Sequence, residues 1–201
     1  MADAMRDVVR RSVAGRVPID EVEVAMIDEF LSLYDALADP FSEQAGPVHV
    51  TGSAIVLGER GVVLLRHKRL GLWLQPGGHV EVGEPPWEAA RREAGEETGL
   101  DVEFVDLADD GVPRLVHVDV HPGGRGHTHL DLRYLVRAGP ADPDPPAGES
   151  QEIAWFAWEA AIERASDDRL TALLVVLSED FAHRPPPAAT DPAPTPNPPN
   201  A

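Results

Sequence analysis

Four glutamates could do chemistry together: Glu84, Glu93, Glu96 and Glu97, within the stretch GHVEVGEPPWEAARREAGEETGL at residues 78–100. Pro85 and Pro86 suit the first turn of a helix, because proline brings a preset φ and lacks an amide hydrogen where that hydrogen is unpaired anyway. Gly99 suits the left-handed position that ends a helix. Residues three and four apart share a helical face. Glu93, Glu96 and Glu97 therefore point roughly one way, and Arg92 sits one turn from Glu96. Clustered carboxylates repel each other, so an acidic face of this kind is either simply solvated or built for a cation. A hard divalent ion prefers such oxygens, and magnesium typically uses one or two carboxylates, substrate phosphates and several waters. The Gly77-Gly78 pair and the spaced Glu84 favour a built site, since backbone that must approach a metal or phosphate closely needs glycine.

The stretch resembles the Nudix box, G-x5-E-x7-R-E-U-x-E-E-x-G-U with U a bulky aliphatic residue. Gly78, Glu84, Arg92, Glu93, Glu96, Glu97, Gly99 and Leu100 match it, and Ala94, apolar but small, stands at the first U. The strand pattern over residues 48–165 is also similar to that family. The resemblance implies an α/β fold, a Nudix-type α/β/α sandwich with a mixed sheet. It also implies cleavage of a pyrophosphate bond in a nucleoside diphosphate linked to another moiety. The implied cofactor is Mg2+, with Mn2+ as a substitute. By the same resemblance Glu93 and Glu97 are direct ligands, Glu96 is a ligand or holds the water, and the backbone carbonyl of Gly77 is a further ligand. Glu84 supports the loop or a second metal. Arg92 orients a box carboxylate through a charge-assisted hydrogen bond or touches substrate. The general base in this family often lies outside the box. Glu152, just before the strand IAWF, is the first candidate and Glu149 the second; Glu96 acting directly is the other route.

A second constellation lies downstream. His127, His129 and Asp131 alternate, so on a strand their side chains share a face. His117, Asp119 and His121 alternate likewise, and His79 follows the glycine pair. These residues either line the substrate cleft, with imidazoles on phosphate or base, or sit on a solvated sheet edge. Alternatively His79 with His127 or His129 holds an additional, softer cation. His49 stands alone and attracts no functional reading. The tryptophans Trp73, Trp155 and Trp158 are stacking surfaces for a base, or core.

Two rival readings come from the same fold. Isopentenyl diphosphate isomerases use a histidine near the box glycine, resembled here by His79, but they also rely on a cysteine and this chain has none. Non-catalytic Nudix sensors typically have broken boxes, whereas every box acid is present here.

These residues need elements to position them. Residues 20–38 read as an amphipathic helix, with Asp20 and Glu23 in a capping-box spacing and Met26, Ile27, Phe30, Leu31, Tyr34 and Leu37 recurring at helical period. Residues 1–46 form an expected N-terminal helical extension, and it offers a surface for a homodimer. The Nudix domain is expected over 47–183. There VHVTGSAIVL and VVLLR read as a hairpin across Gly58-Glu59-Arg60-Gly61. LWLQ leads to a turn at Pro76-Gly77-Gly78. Strands follow at DVEFVDLA, RLVHVDVH and HLDLRYLVRA, then IAWF and two helices. The tail 184–201, with eight prolines, reads as disordered. A formal charge of −18 argues against a grip on a nucleic-acid duplex, which needs a basic surface. No run of 18 apolar residues offers a membrane span. The expectation is a cytoplasmic protein acting on a small nucleotide.

Overall fold

The structure, a computed structural model, describes residues 2–108 and 111–183. The expected Pro-rich tail lies outside them. The elements in chain order are α1 (Ala2–Ala14), α2 (Glu21–Ala36), β1 (Val48–Gly58), β2 (Gly61–Arg66), β3 (Trp73–Leu74), β4 (Gly77–His79), α3 (Pro86–Thr98), β5 (Val102–Phe104), β6 (Leu115–Pro122), β7 (Thr128–Ala138), β8 (Ile153–Phe156), α4 (Trp158–Arg164) and α5 (Asp168–His183). A short 3-10 turn at Gly124–Gly126 joins β6 to β7.

The sheet is mixed. Its central path runs β3-β2-β1-β7-β5, with β4 paired to β1, β6 to β7 and β8 to β2. The long strands β1 and β7 run parallel, in a register that places Val48 opposite Thr128 and Leu57 opposite Arg137. The other pairings are antiparallel. Successive side chains on a strand point to opposite faces, and β1 divides its apolar residues accordingly. Val50, Ala54 and Val56 enter one core with Ala89, Ala90 and Ala94 of α3 and with Val9, Val13, Phe30 and Tyr34 of α1 and α2. Ile55 and Leu57 enter the other, with Leu170, Leu173 and Leu174 of α5 and Ala161 of α4. The result is the expected α/β/α sandwich, and the N-terminal helices form part of one of its outer layers. Among the described residues no helix is long and apolar enough to cross a membrane.

Two details position the site. The segment expected as a turn at Pro76-Gly77-Gly78 is instead a short strand, Gly77 pairing with Ser53, Gly78 with Gly52 and His79 with Thr51. Its two glycine positions have no room for side chains. A Cβ on Gly77 would collide with Ser53, and one on Gly78 with the Glu93 carboxylate. Helix α3 lies equally close to β1, because a Cβ on Gly52 would strike the Pro86 carbonyl and come within 3.0 Å of the Ala90 amide. Ala94 is fully buried in that contact. A bulkier residue there would push the helix off the sheet, so the small residue at the aliphatic box position is explained by close packing.

The helix ends behave as their residues dictate. Gly99 closes α3 with φ 69°, its amide donating to the Gly95 carbonyl. Asp20 caps α2 by accepting from the Glu23 amide at 2.8 Å. The Glu23 carboxylate does not return to the Asp20 amide as a capping box would. It accepts instead from the Ile19 amide at 2.7 Å, from Arg16 at 3.0 Å and from the Val118 amide of β6 at 3.0 Å. A fully buried carboxylate thus joins the N-terminal helices to the sheet.

Candidate metal centre and its histidine neighbours

Glu93, Glu96 and Glu97 all project from α3, and their surroundings divide them. Glu97 accepts a hydrogen bond from the Gly77 amide at 2.9 Å, which ties the helix to β4. Burial pushes its carboxyl up to about 7, against the lowering effect of that amide; the Glu93 and Glu149 charges raise it further. Burial raises Glu93 as well, opposed by Arg92. Glu96 is 57% exposed. Arg92 is the hub. It donates to Glu84 at 3.0 and 3.1 Å, to Glu93 at 2.8 Å, to Glu96 at 3.0 Å and to the His79 carbonyl at 2.9 Å. Glu84, chiefly, holds its guanidinium protonated more firmly than usual. Glu84 also accepts from the Glu81 amide at 3.0 Å, so it clamps the loop before α3.

This donor set fits a hard divalent cation. The Glu93 charge raises the proton affinity of Glu97, that of Glu96 raises Glu93, and burial withholds the water that would screen them. A divalent ion held by these carboxylates would supply the missing positive charge, and carboxylate oxygen is the ligand that Mg2+ and Mn2+ prefer.

The two acids considered as general base sit differently. The Glu152 carboxylate is held by Arg66 at 3.0 and 3.1 Å, and its backbone carbonyl accepts from the Arg66 amide. Glu149 lies near enough for its charge to act on Glu97.

The downstream histidines converge on the same end of the sheet. Strand register does this: His49 of β1 stands opposite His129 of β7, which stands opposite His121 of β6. The next row is Thr51, Asp131 and Asp119, with His79 across from Thr51. The His49 ring centroid is 5.1 Å from His79, 5.2 Å from His127 and 5.1 Å from His129. Asp131 is buried under them and accepts from Thr51 at 2.9 Å, Ser53 at 2.7 Å and Arg133 at 3.3 Å. Its part is to hold the row together. Asp119 is buried too. Burial alone would raise its pKa, but the His121 hydrogen bond and the Arg133 and Arg169 charges bring it down to about 2. His129 is pushed down to about 3, first by burial and then by the surrounding imidazoles, so it stays neutral.

His49 is the member that sequence reasoning missed. Its signal was faint but present, because His49, Thr51 and Ser53 alternate as polar positions in an otherwise apolar strand. The tryptophans pack. Trp73 meets Phe156 edge-on, Trp158 stacks on Phe181, Trp155 donates to the Ala141 carbonyl, and Trp87 lies against the core.

Comparison with known proteins agrees with this fold. The NUDIX domain profile matches residues 47–174. An octanoyltransferase from Myxococcus xanthus is 36% identical over 104 residues, which are 49% of this chain and 28% of that protein. An isopentenyl-diphosphate Delta-isomerase from Streptomyces coelicolor is 29% identical over 136 residues, 63% of this chain and 66% of its own length. An RNA pyrophosphohydrolase from Brucella anthropi is 27% identical over 136 residues, 62% of this chain and 78% of its own. The chain therefore spans less than two thirds of the first two relatives. Among solved structures, a NUDIX-family hydrolase from Clostridium perfringens superposes with a TM-score of 0.55 at 28% identity, covering 64% of this chain and 97% of that one. The profile takes in the central strands as well as the box helix, and on that ground the chain belongs to the NUDIX domain family.

Proposed function

We propose that this protein is a divalent-metal-dependent hydrolase that cleaves a pyrophosphate bond in a nucleoside diphosphate linked to another moiety. The observation that carries the reading is the Glu93–Glu97 pair, two shielded carboxylates held against the side-chain-free strand Gly77-Gly78. The names of two similar proteins, an RNA pyrophosphohydrolase and a NUDIX-family hydrolase, agree with it. Mg2+ is the expected ion and Mn2+ its substitute.

Glu93 and Glu97 would hold the ion, with the Gly77 carbonyl as a further ligand. Once bound, the ion would neutralise phosphate oxygens and make a coordinated water easier to deprotonate. Exposed Glu96 is placed to position that water or to complete the ligand set. Arg92 orients Glu93 and Glu96, and Glu84 holds Arg92. For the base, the electrostatic reach of Glu149 to Glu97 favours it over Glu152, whose carboxylate Arg66 already holds. His79, His127 and His129 are the residues we assign to the nucleotide, through their imidazoles. That substrate class belongs to the cytoplasm, where nucleotides are made and consumed.

The test is a panel of ADP-ribose, NADH, nucleoside triphosphates, dinucleoside polyphosphates and nucleotide sugars, with Mg2+ and product release measured. At least one should turn over. Glu97→Gln should lower kcat by roughly 10²–10³-fold while its thermal melt stays cooperative. Binding without release across the panel would mark a sensor instead. The isomerase-like relative and His79 favour a second reading enough to add isopentenyl diphosphate to the panel; rearrangement of it without phosphate release would overturn the hydrolase.

A further inference from the structure

We propose that His49, His79 and His129 form a second metal site, distinct from the box carboxylates, that binds Zn2+ through three imidazole nitrogens. The inference does not rest on the hydrolase reading.

Each of the three offers a ring nitrogen, and these nitrogens lie within 4.8 Å of one another. Tetrahedral zinc with Zn–N near 2.0–2.1 Å needs nitrogens roughly 3.4 Å apart, so closure asks only for small side-chain rotations. The ligands come from three adjacent strands. His49 and His129 are direct partners across β1 and β7, and His79 pairs two residues along β1, at Thr51. Sheet register, not a loop, therefore sets their spacing. Gly123 leaves His129 its place, because a Cβ there would press on the ring.

The independent sign is His49. It is fully buried, and neither of its ring nitrogens makes a hydrogen bond of ordinary geometry, although the Gly46 backbone lies close enough to act on the ring. Buried polar groups normally find partners, and leaving one without is unfavourable. In the next row Thr51 and Ser53 both donate to Asp131. An ion held by His49, His79 and His129 would give these nitrogens a full partner. Imidazole nitrogen selects zinc and its transition-metal neighbours, whereas the box oxygens select magnesium or manganese. Glu43, 3.3 Å from His79 Nε2, supplies the rim carboxylate that commonly orients a ligating histidine. Three protein ligands leave a fourth position for water or an anionic substrate group.

The experiment uses untagged full-length protein stripped by chelator, titrated calorimetrically with Zn2+ in excess Mg2+ so that the oxygen site is filled. One zinc per chain is expected. His49→Phe and His129→Asn should each weaken binding by at least roughly 100-fold. The double variant Glu93→Gln/Glu97→Gln should bind zinc as the parent does. Cu2+ electron paramagnetic resonance on the unaltered protein reads nitrogen ligation without any substitution, so the proposal stays testable if the histidine variants fail to fold. No zinc uptake in excess Mg2+, or no nitrogen hyperfine splitting, overturns it. Equal loss in the glutamate double variant also overturns it, because the ion would then belong to the box.

Discussion

Glu97 and Glu96 are neighbours in the chain and opposites in environment. The first faces β4 under cover and the second faces solvent. That difference has a pH signature. Burial raises the folded-state pKa of Glu97 from 4.5 to about 7, so the folded protein holds this proton more tightly than the unfolded chain does. The associated stability is fully present below 4.5 and is lost as pH rises through about 7. Without metal, Glu97→Gln should therefore melt higher than the parent near pH 8 and at about the same temperature near pH 4. Mg2+ should raise the parent's melting temperature more near pH 8, where the carboxylate is ionised. A pH-independent gap between the two proteins, read by differential scanning calorimetry, would show that Glu97 is not the buried acid described. That Glu93, Glu96 and Glu97 project from one helix was legible from the spacing. The separation of Glu97 from Glu96 was not, because it depends on where β4 lies.

At the scale of elements, α3, β4 and β1 form one closely stacked unit whose glycines are not equivalent. Gly52 has the Pro86 carbonyl and the Ala90 amide against it, whereas a Cβ on Gly95 would meet only the Leu100 carbonyl at 3.7 Å. Gly52→Ala should destabilise the protein by about 1–3 kcal/mol through overpacking. Gly95→Ala, inside a helix with room to spare, should stabilise it by about 0.5–1 kcal/mol. Urea denaturation of the pair checks the contrast, and effects of the same sign would refute the packing account. Most of these elements could be read from periodicity, including the β1–β2 hairpin, α2, α3, β7 and α5. β4 was the exception. Pro-Gly-Gly is turn chemistry by local preference, and only the need to lie flush against Ser53 and Glu93 makes it a strand.

For the whole molecule, the N-terminal helices are built into the sandwich. Val9, Val13, Phe30 and Tyr34 share a core with α3, and Arg6 of α1 donates to the Tyr34 carbonyl of α2 at 2.9 Å and to that of Leu37, its C-cap, at 2.7 Å. Glu23 completes the join to β6. Its replacement by alanine strands Arg16 and the Val118 amide, so Glu23→Ala should cost about 3 kcal/mol in chemical denaturation. A loss below about 0.5 kcal/mol would mean that the helices and the sheet are held together by apolar contact alone. The amphipathic pattern of α2 announced a buried face. It did not announce that the face lies on the same side of the sheet as the box helix.

The sequence by itself determined the box, its helix and the family, because those depend on a repeat of 3.6 residues and on spacings of a few positions, which neighbours along the chain enforce. Tertiary structure alone decided which residues meet across the sheet. His49 and His129 come together only because β1 and β7 pair in parallel in one register. A shift of a single residue would turn every side chain of one strand to the opposite face. That choice is made by the two cores as a whole, and no local stretch of sequence carries it.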